Sequence, residues 1–149
     1  MQTLKNEMLT IQVSEHGAEL QSIRKDDYEY LWQGNPEYWG RRSPVLFPIV
    51  GSVWEKCFRV DGKVYEMGQH GFARDMDFEL TSASETELWY KLESDENTLK
   101  AYPWPFVLEI GYRLEGNSVK VLWKVTNPGD TEMFFQIGAH PAFNYPGYD

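Results

Sequence analysis

The chain has little from which to build a disulfide, a membrane span or a nucleic-acid surface. Its single cysteine, Cys57, excludes an intramolecular disulfide and fits a reducing compartment. Apolar runs such as Pro44 to Val50 fall far short of the ~20 residues a membrane helix needs. The opening M-Q-T-L-K-N-E lacks the apolar stretch of a signal peptide. A cytoplasmic address without a membrane partner is expected. Basic residues are scarce: 14 Lys and Arg against 23 Asp and Glu give a net charge of -9. That is the wrong sign for neutralising a phosphate backbone, so no nucleic-acid partner is expected. Three histidines and one cysteine show no paired zinc-type spacing, and no metal is expected. Ser43 and Ser52 flank a strand without a nucleophile elbow, and Cys57 sits in a hairpin strand, which argues against covalent catalysis.

What is abundant is aromatic and alternating. Aromatics make up 15% of the 149 residues, with six Trp and nine Tyr, and most are read as core. The length suits one domain, or part of one. Phe106, Leu108, Ile110, Tyr112 and Leu114 alternate with Val107, Glu109, Gly111, Arg113 and Glu115. After the turn residues Gly116-Asn117-Ser118, Val119, Val121, Trp123 and Val125 alternate with Lys120, Leu122, Lys124 and Thr126. This period of two predicts an antiparallel hairpin. Cys57 to Met67 reads as a second hairpin, turned at Asp61-Gly62. Further strands are predicted at Leu9 to Val13, Leu20 to Arg24, Tyr28 to Trp32, Phe78 to Ser82 and Leu88 to Glu93, with a short helical turn at Asp95 to Ala101. No repeat, linker or low-complexity tract breaks the chain, so the fold class is all-β, a large antiparallel β-sandwich.

Two loops carry histidines in similar settings. Gly138 to Pro146 reads G-A-H-P-A-F-N-Y-P and Gly68 to Asp75 reads G-Q-H-G-F-A-R-D. Histidine is the side chain best suited to exchanging protons near neutral pH, and two such loops suggest one shared site. His16, between Glu15 and Gly17, sits in no such motif and is read as a loop histidine capping backbone carbonyls.

The run W-G-R-R-S-P-V-L-F-P-I-V-G (Trp39 to Gly51), H-G-F-A-R-D (His70 to Asp75), Y-P-W-P-F (Tyr102 to Phe106) and G-A-H-P-A-F-N (Gly138 to Asn144), in this order, resembles the aldose 1-epimerase (galactose mutarotase-like) family, and within it the LacX-type branch. The resemblance extends from Gly17-Ala18-Glu19-Leu20 to the last residues. It implies a galactose mutarotase-like β-supersandwich, of which residues 1–149 form the N-terminal portion. It also implies interconversion of the α and β anomers of an aldose or sugar phosphate, with no cofactor. Family members continue past the second histidine motif, and the glutamate resembling a catalytic base lies in that later half. The expected partners are a small-molecule sugar and the chain's own C-terminal half or a second copy. A non-catalytic carbohydrate-binding module, or an inactive truncated fragment, is the alternative.

By the same resemblance His140 is the general acid and His70 hydrogen-bonds the sugar near the reacting centre. Arg74 is a candidate for a forked contact with vicinal hydroxyls or a sugar phosphate, with a salt bridge to Asp75 or Asp77 as the alternative. Arg41 and Arg42 occupy the family's basic position; in an extended segment only one of the two faces a cleft. Phe143, with Trp39, Trp104 and Tyr145, is a candidate for stacking on a sugar face, and Asn144 for holding the loop backbone or a hydroxyl. Where better-known galactose mutarotases have an Asn-Arg pair, this chain has Glu55-Lys56, which leaves the sugar open.

Overall fold

The computed structural model describes residues 1–145; the Pro146 end of the second histidine loop lies outside the described residues. Two four-stranded antiparallel sheets face each other. In the first, β1 (Gln2–Lys5), β2 (Thr10–Val13), β3 (Leu20–Lys25) and β4 (Tyr28–Glu29) lie in chain order. The second is built from β8 (Glu79–Ala83), β9 (Glu87–Glu93), β10 (Val107–Glu115) and β11 (Ser118–Thr126), in the order β11-β10-β9-β8. Two small pairs lie outside these sheets: β5 (Val45–Leu46) with β12 (Gly138–Ala139), and β6 (Cys57–Val60) with β7 (Lys63–Glu66). The one α-helix among the described residues, α1 (Thr98–Ala101), is capped by the Asp95 carboxylate, which accepts from the Asn97 and Thr98 amides at 2.9 and 2.7 Å. No helix among them is long and apolar enough to cross a membrane.

The alternating residues become the core. Ile11, Val13 and Leu20 of the first sheet and Leu88, Tyr90, Leu108, Ile110, Tyr112 and Leu114 of the second form one buried cluster. Two tyrosines tie the layers together: Tyr112 Oη donates to the Ala18 carbonyl at 2.6 Å and Tyr90 Oη to that of Val13 at 3.4 Å. Burial removes the solvation of their phenolates and pushes both hydroxyls well above the ordinary tyrosine range, so both remain donors.

The β10–β11 hairpin has the predicted register, with Ile110 opposite Trp123 and Tyr112 opposite Val121. The two strands differ in burial. β10 lies between β9 and β11 and its apolar face is covered. β11 is an edge strand, and Val121 and Trp123 on its corresponding face remain 42% and 40% exposed. Cover on this face therefore ends at β10. The predicted strand over residues 28–32 is cut to two residues plus a bridge between Leu31 and Phe143. Its cause is Glu29, whose Oε1 accepts from the Ile23 and Leu31 amides at 2.9 Å each and displaces ladder bonds. The strand β1 falls in the polar opening and has only Leu4 buried.

Candidate active site

The first histidine loop is held by backbone contacts that leave little freedom. The Phe47 carbonyl accepts from the Phe72 and Ala73 amides at 3.1 and 3.2 Å, seating the short 3-10 turn Ala73–Asp75 against β5. Gly71 has φ +70°, and a Cβ there would lie 2.2 Å from the Phe47 oxygen. Only glycine fits. His70 is itself left-handed, with φ 65°, and is fixed by a reciprocal pair. Its amide donates to the Gly51 carbonyl at 2.7 Å, and the Gly51 amide donates to its ring Nδ1 at 2.9 Å. A backbone N–H can only donate, so Nδ1 is an acceptor and the neutral ring carries its proton on Nε2. Burial, followed by the charges of Arg74, His140 and Arg41, holds His70 below the ordinary histidine range. His70 is thus a neutral donor.

The second loop follows β12. The His140 amide donates to the Pro44 carbonyl at 3.1 Å, and its ring packs against Trp39 with centroids 5.0 Å apart. Trp39 is placed in turn by Trp32, whose Nε1 donates to the Trp39 carbonyl at 2.8 Å. Pairing of Gly138–Ala139 with Val45–Leu46 brings this loop beside the first. His70, His140, Arg74, Trp39, Gln69, Pro44 and Leu46 line one cavity of about 200 Å³.

Arg74 is 17% exposed. Its Nη2 donates to the Gln69 carbonyl at 2.9 Å, and its Nε lies 3.7 Å from Asp75 Oδ2, beyond hydrogen-bonding distance. Arg41 and Arg42 part as alternation requires. The amides of Arg42 and Ser43 donate to Glu19 Oε1 at 2.9 and 2.8 Å. With that segment anchored, the Arg42 guanidinium turns away to Gln21 and the Gln33 carbonyl. Arg41 turns the other way and donates to Asp75 Oδ1 at 2.7 Å.

Three further candidates lie elsewhere. Asn144 donates from Nδ2 to the Glu29 and Leu31 carbonyls at 2.9 and 3.1 Å, which is the backbone-holding role. Phe143, 64% exposed, lines a different cavity with Tyr30, Ile23 and Val119, because adjacent residues of this extended segment point to opposite sides. Trp104 stacks on Phe58 and packs at a tilt against Tyr102. Glu55 and Lys56 occupy an exposed left-handed turn and line a separate cavity of about 620 Å³ with Glu66 and Met67. His16 pairs with Asp77 at the surface, 2.8 Å apart. Sequence reasoning did not single out Gln69 or Gly51. The signal for Gln69 was its place beside His70, whereas the role of Gly51 rests on a contact 19 residues distant. Among the described residues no group of three or more His, Cys, Asp or Glu gathers as a metal site.

An antiparallel β-sandwich with two loop histidines and an arginine around one polar cavity is a scaffold suited to acid-base chemistry on a small hydroxylated ligand. Residues 1–148 match the family model for aldose 1-epimerase, and the chain belongs to that family. It is 40% identical to the chromosomal LacX protein of Lactococcus lactis subsp. lactis over 96% of its own length and 50% of that protein's. The structure of a galactose mutarotase related enzyme from Lactobacillus acidophilus is 41% identical, with a TM-score of 0.97 over 99% of this chain and 51% of that one. A galactose mutarotase-like protein from Lactobacillus casei is 38% identical, with a TM-score of 0.93 over 97% and 50%. The chain thus spans about half the length of these relatives.

Proposed function

We propose that this chain supplies the acid-bearing part of an aldose 1-epimerase site acting on a cytoplasmic aldose or sugar phosphate. The observation that carries this reading is the convergence of His70, His140 and Arg74 on one cavity. In the reaction a base takes the proton of the anomeric hydroxyl while an acid protonates the ring oxygen. The C1–O5 bond then breaks, the aldehyde turns about C1–C2, and the steps reverse on its other face. No proton is gained or lost overall, and no electron is transferred.

The two histidines are suited to different parts of this. His70 has its Nδ1 occupied by the Gly51 amide, so it orients a sugar oxygen from Nε2–H as a neutral donor. His140 is anchored through its backbone and packed on Trp39, which leaves its ring available to carry the transferable proton. No Asp or Glu is among the residues lining the cavity, and the family resemblance assigns the base to a glutamate of the other half of the fold. On this reading the chain without that glutamate is expected to hold a carbohydrate without turning it over.

The test is a chimera joining residues 1–149 to the unmatched half of the Lactobacillus acidophilus relative, followed by polarimetry of freshly dissolved α-galactose and α-glucose. His140→Ala is expected to lower kcat by ~10² to 10⁴-fold, the usual contribution of general acid-base catalysis. His70→Ala is expected to raise KM and lower kcat together. Losses below threefold at both positions would show that the chemistry lies elsewhere.

A further inference from the structure

The residues lining the cavity come from separate segments, Trp39, Pro44 and Leu46 from one, Gln69, His70 and Arg74 from another and His140 from a third, and beside them one carboxylate lies between the guanidiniums of Arg41 and Arg74. Asp75 Oδ1 accepts from Arg41 Nη2 at 2.7 Å, and Oδ2 lies 3.7 Å from Arg74 Nε. Arg41 is two residues from Trp39, the ring against which His140 packs. Arg74 Nε is buried and has no hydrogen-bond partner. Burial and then the neighbouring Arg41 charge disfavour the protonated guanidinium, and Asp75 favours it.

We propose that Asp75 is a positioning residue that clasps the cavity: its carboxylate ties the Trp39 wall, through Arg41, to the His70 wall, and holds Arg74 facing the ligand. This deepens the epimerase reading and rests on it for the ligand, though not for the geometry. Stability is not the purpose of the clasp. Asp75 is 51% exposed and Arg41 31%, and ion pairs this accessible contribute little to folding. The same exposure means that Asp75→Asn, which keeps size and removes charge, leaves a folded chain to examine. Without the carboxylate, the Arg41 and Arg74 charges are left uncompensated beside the cavity and the Trp39 segment loses its tie.

The primary test needs no activity. In ¹⁵N-labelled chain, Asp75→Asn and Arg41→Gln are each expected to shift the Trp39 indole N–H resonance, and the double variant to shift it no further than either one. A residue that merely stabilised its own turn would move the His70 and Arg74 signals and leave Trp39 in place. Asp75→Glu, which keeps the charge, should restore part of the wild-type position. In the chimera, Asp75→Asn should raise KM about tenfold, the equivalent of one charge-assisted hydrogen bond, with kcat within about twofold. An unmoved Trp39 signal, or additive shifts in the double variant, would overturn the clasp whatever the activity. An inactive wild-type chimera with the coupled Trp39 shifts intact would instead overturn the epimerase reading and leave the clasp standing.

Discussion

Replacing Gly71 by alanine tests whether the backbone beneath His70 is as constrained as its geometry requires. Two penalties combine. A left-handed φ costs an L-residue about 1–2 kcal/mol. The added Cβ would also lie 2.2 Å from the Phe47 oxygen, 2.5 Å from its carbon and 2.7 Å from Pro48 Cδ, and backbone cannot step aside as a flexible side chain can. Relief requires the loop to move away from β5. That movement stretches the bonds from the Phe72 and Ala73 amides to Phe47, each worth about 1 kcal/mol. A total near 3–4 kcal/mol follows, or a fall in Tm of ~10 °C for a chain of this size. Gly51 is the internal control: its φ is +79°, yet an added Cβ meets nothing within 4 Å, and alanine retains the amide that binds His70. Only the conformational penalty applies, with a fall in Tm of ~2–6 °C. Thermal unfolding followed by circular dichroism measures both. Equal shifts for the two variants would refute the close-contact argument, and with it the account of why His70 sits where it does.

Stability should also report the protonation of His70. Its folded pKa lies below the ordinary 6.5, so as pH falls through 6.5 the unfolded chain takes up a proton that the folded one resists, and stability is lost. His70→Gln should flatten this fall between pH 7 and 5 in urea titrations, and an unchanged slope would contradict the neutral-donor assignment. The open face of β11 should drive association, since edge strands with exposed apolar side chains recruit partners. Size-exclusion chromatography with light scattering should find the chain associated and Trp123→Glu shifted toward monomer; a monomeric parent would count against this. Removing the buried Tyr112 hydroxyl with Tyr112→Phe leaves the Ala18 carbonyl without this donor and should lower stability by about 1–3 kcal/mol in the same titrations.

What could be read in advance was whatever depends on neighbours in sequence. The alternation in residues 106–126 and the Asp61-Gly62 turn are local signals, and both hairpins formed where they pointed. The pairing of β5 with β12 joins residues about ninety positions apart through only two register pairs, too short to show a period. Strand β1 was missed for a related reason, since a single buried leucine among four residues leaves no pattern. At the site, the histidine motifs identified both rings that line the cavity. Alternation established that Arg41 and Arg42 would part, and neither lines the cavity: Arg41 reaches Asp75 beside it and Arg42 turns away. The choice depended on Glu19 binding the Arg42 and Ser43 amides, a contact invisible from either side alone. Phe143 and Asn144 are near His140 along the chain, but the cavity wall is assembled across the β5–β12 pair rather than along the loop, so neither reaches it.

On the proposed reading, this chain holds the acid and binding side of an epimerase site and the other half of the fold supplies the base. Polarimetric equilibration of α-galactose by the 149-residue chain alone, beside the chimera, tests it most directly. The account predicts that the chain alone stays near the uncatalysed rate while the chimera is faster by at least the ~10²-fold that a general base contributes. A chain that matches the chimera unaided would contradict it, and would place the base among residues already described, with Asp75 and Glu55 the first to replace.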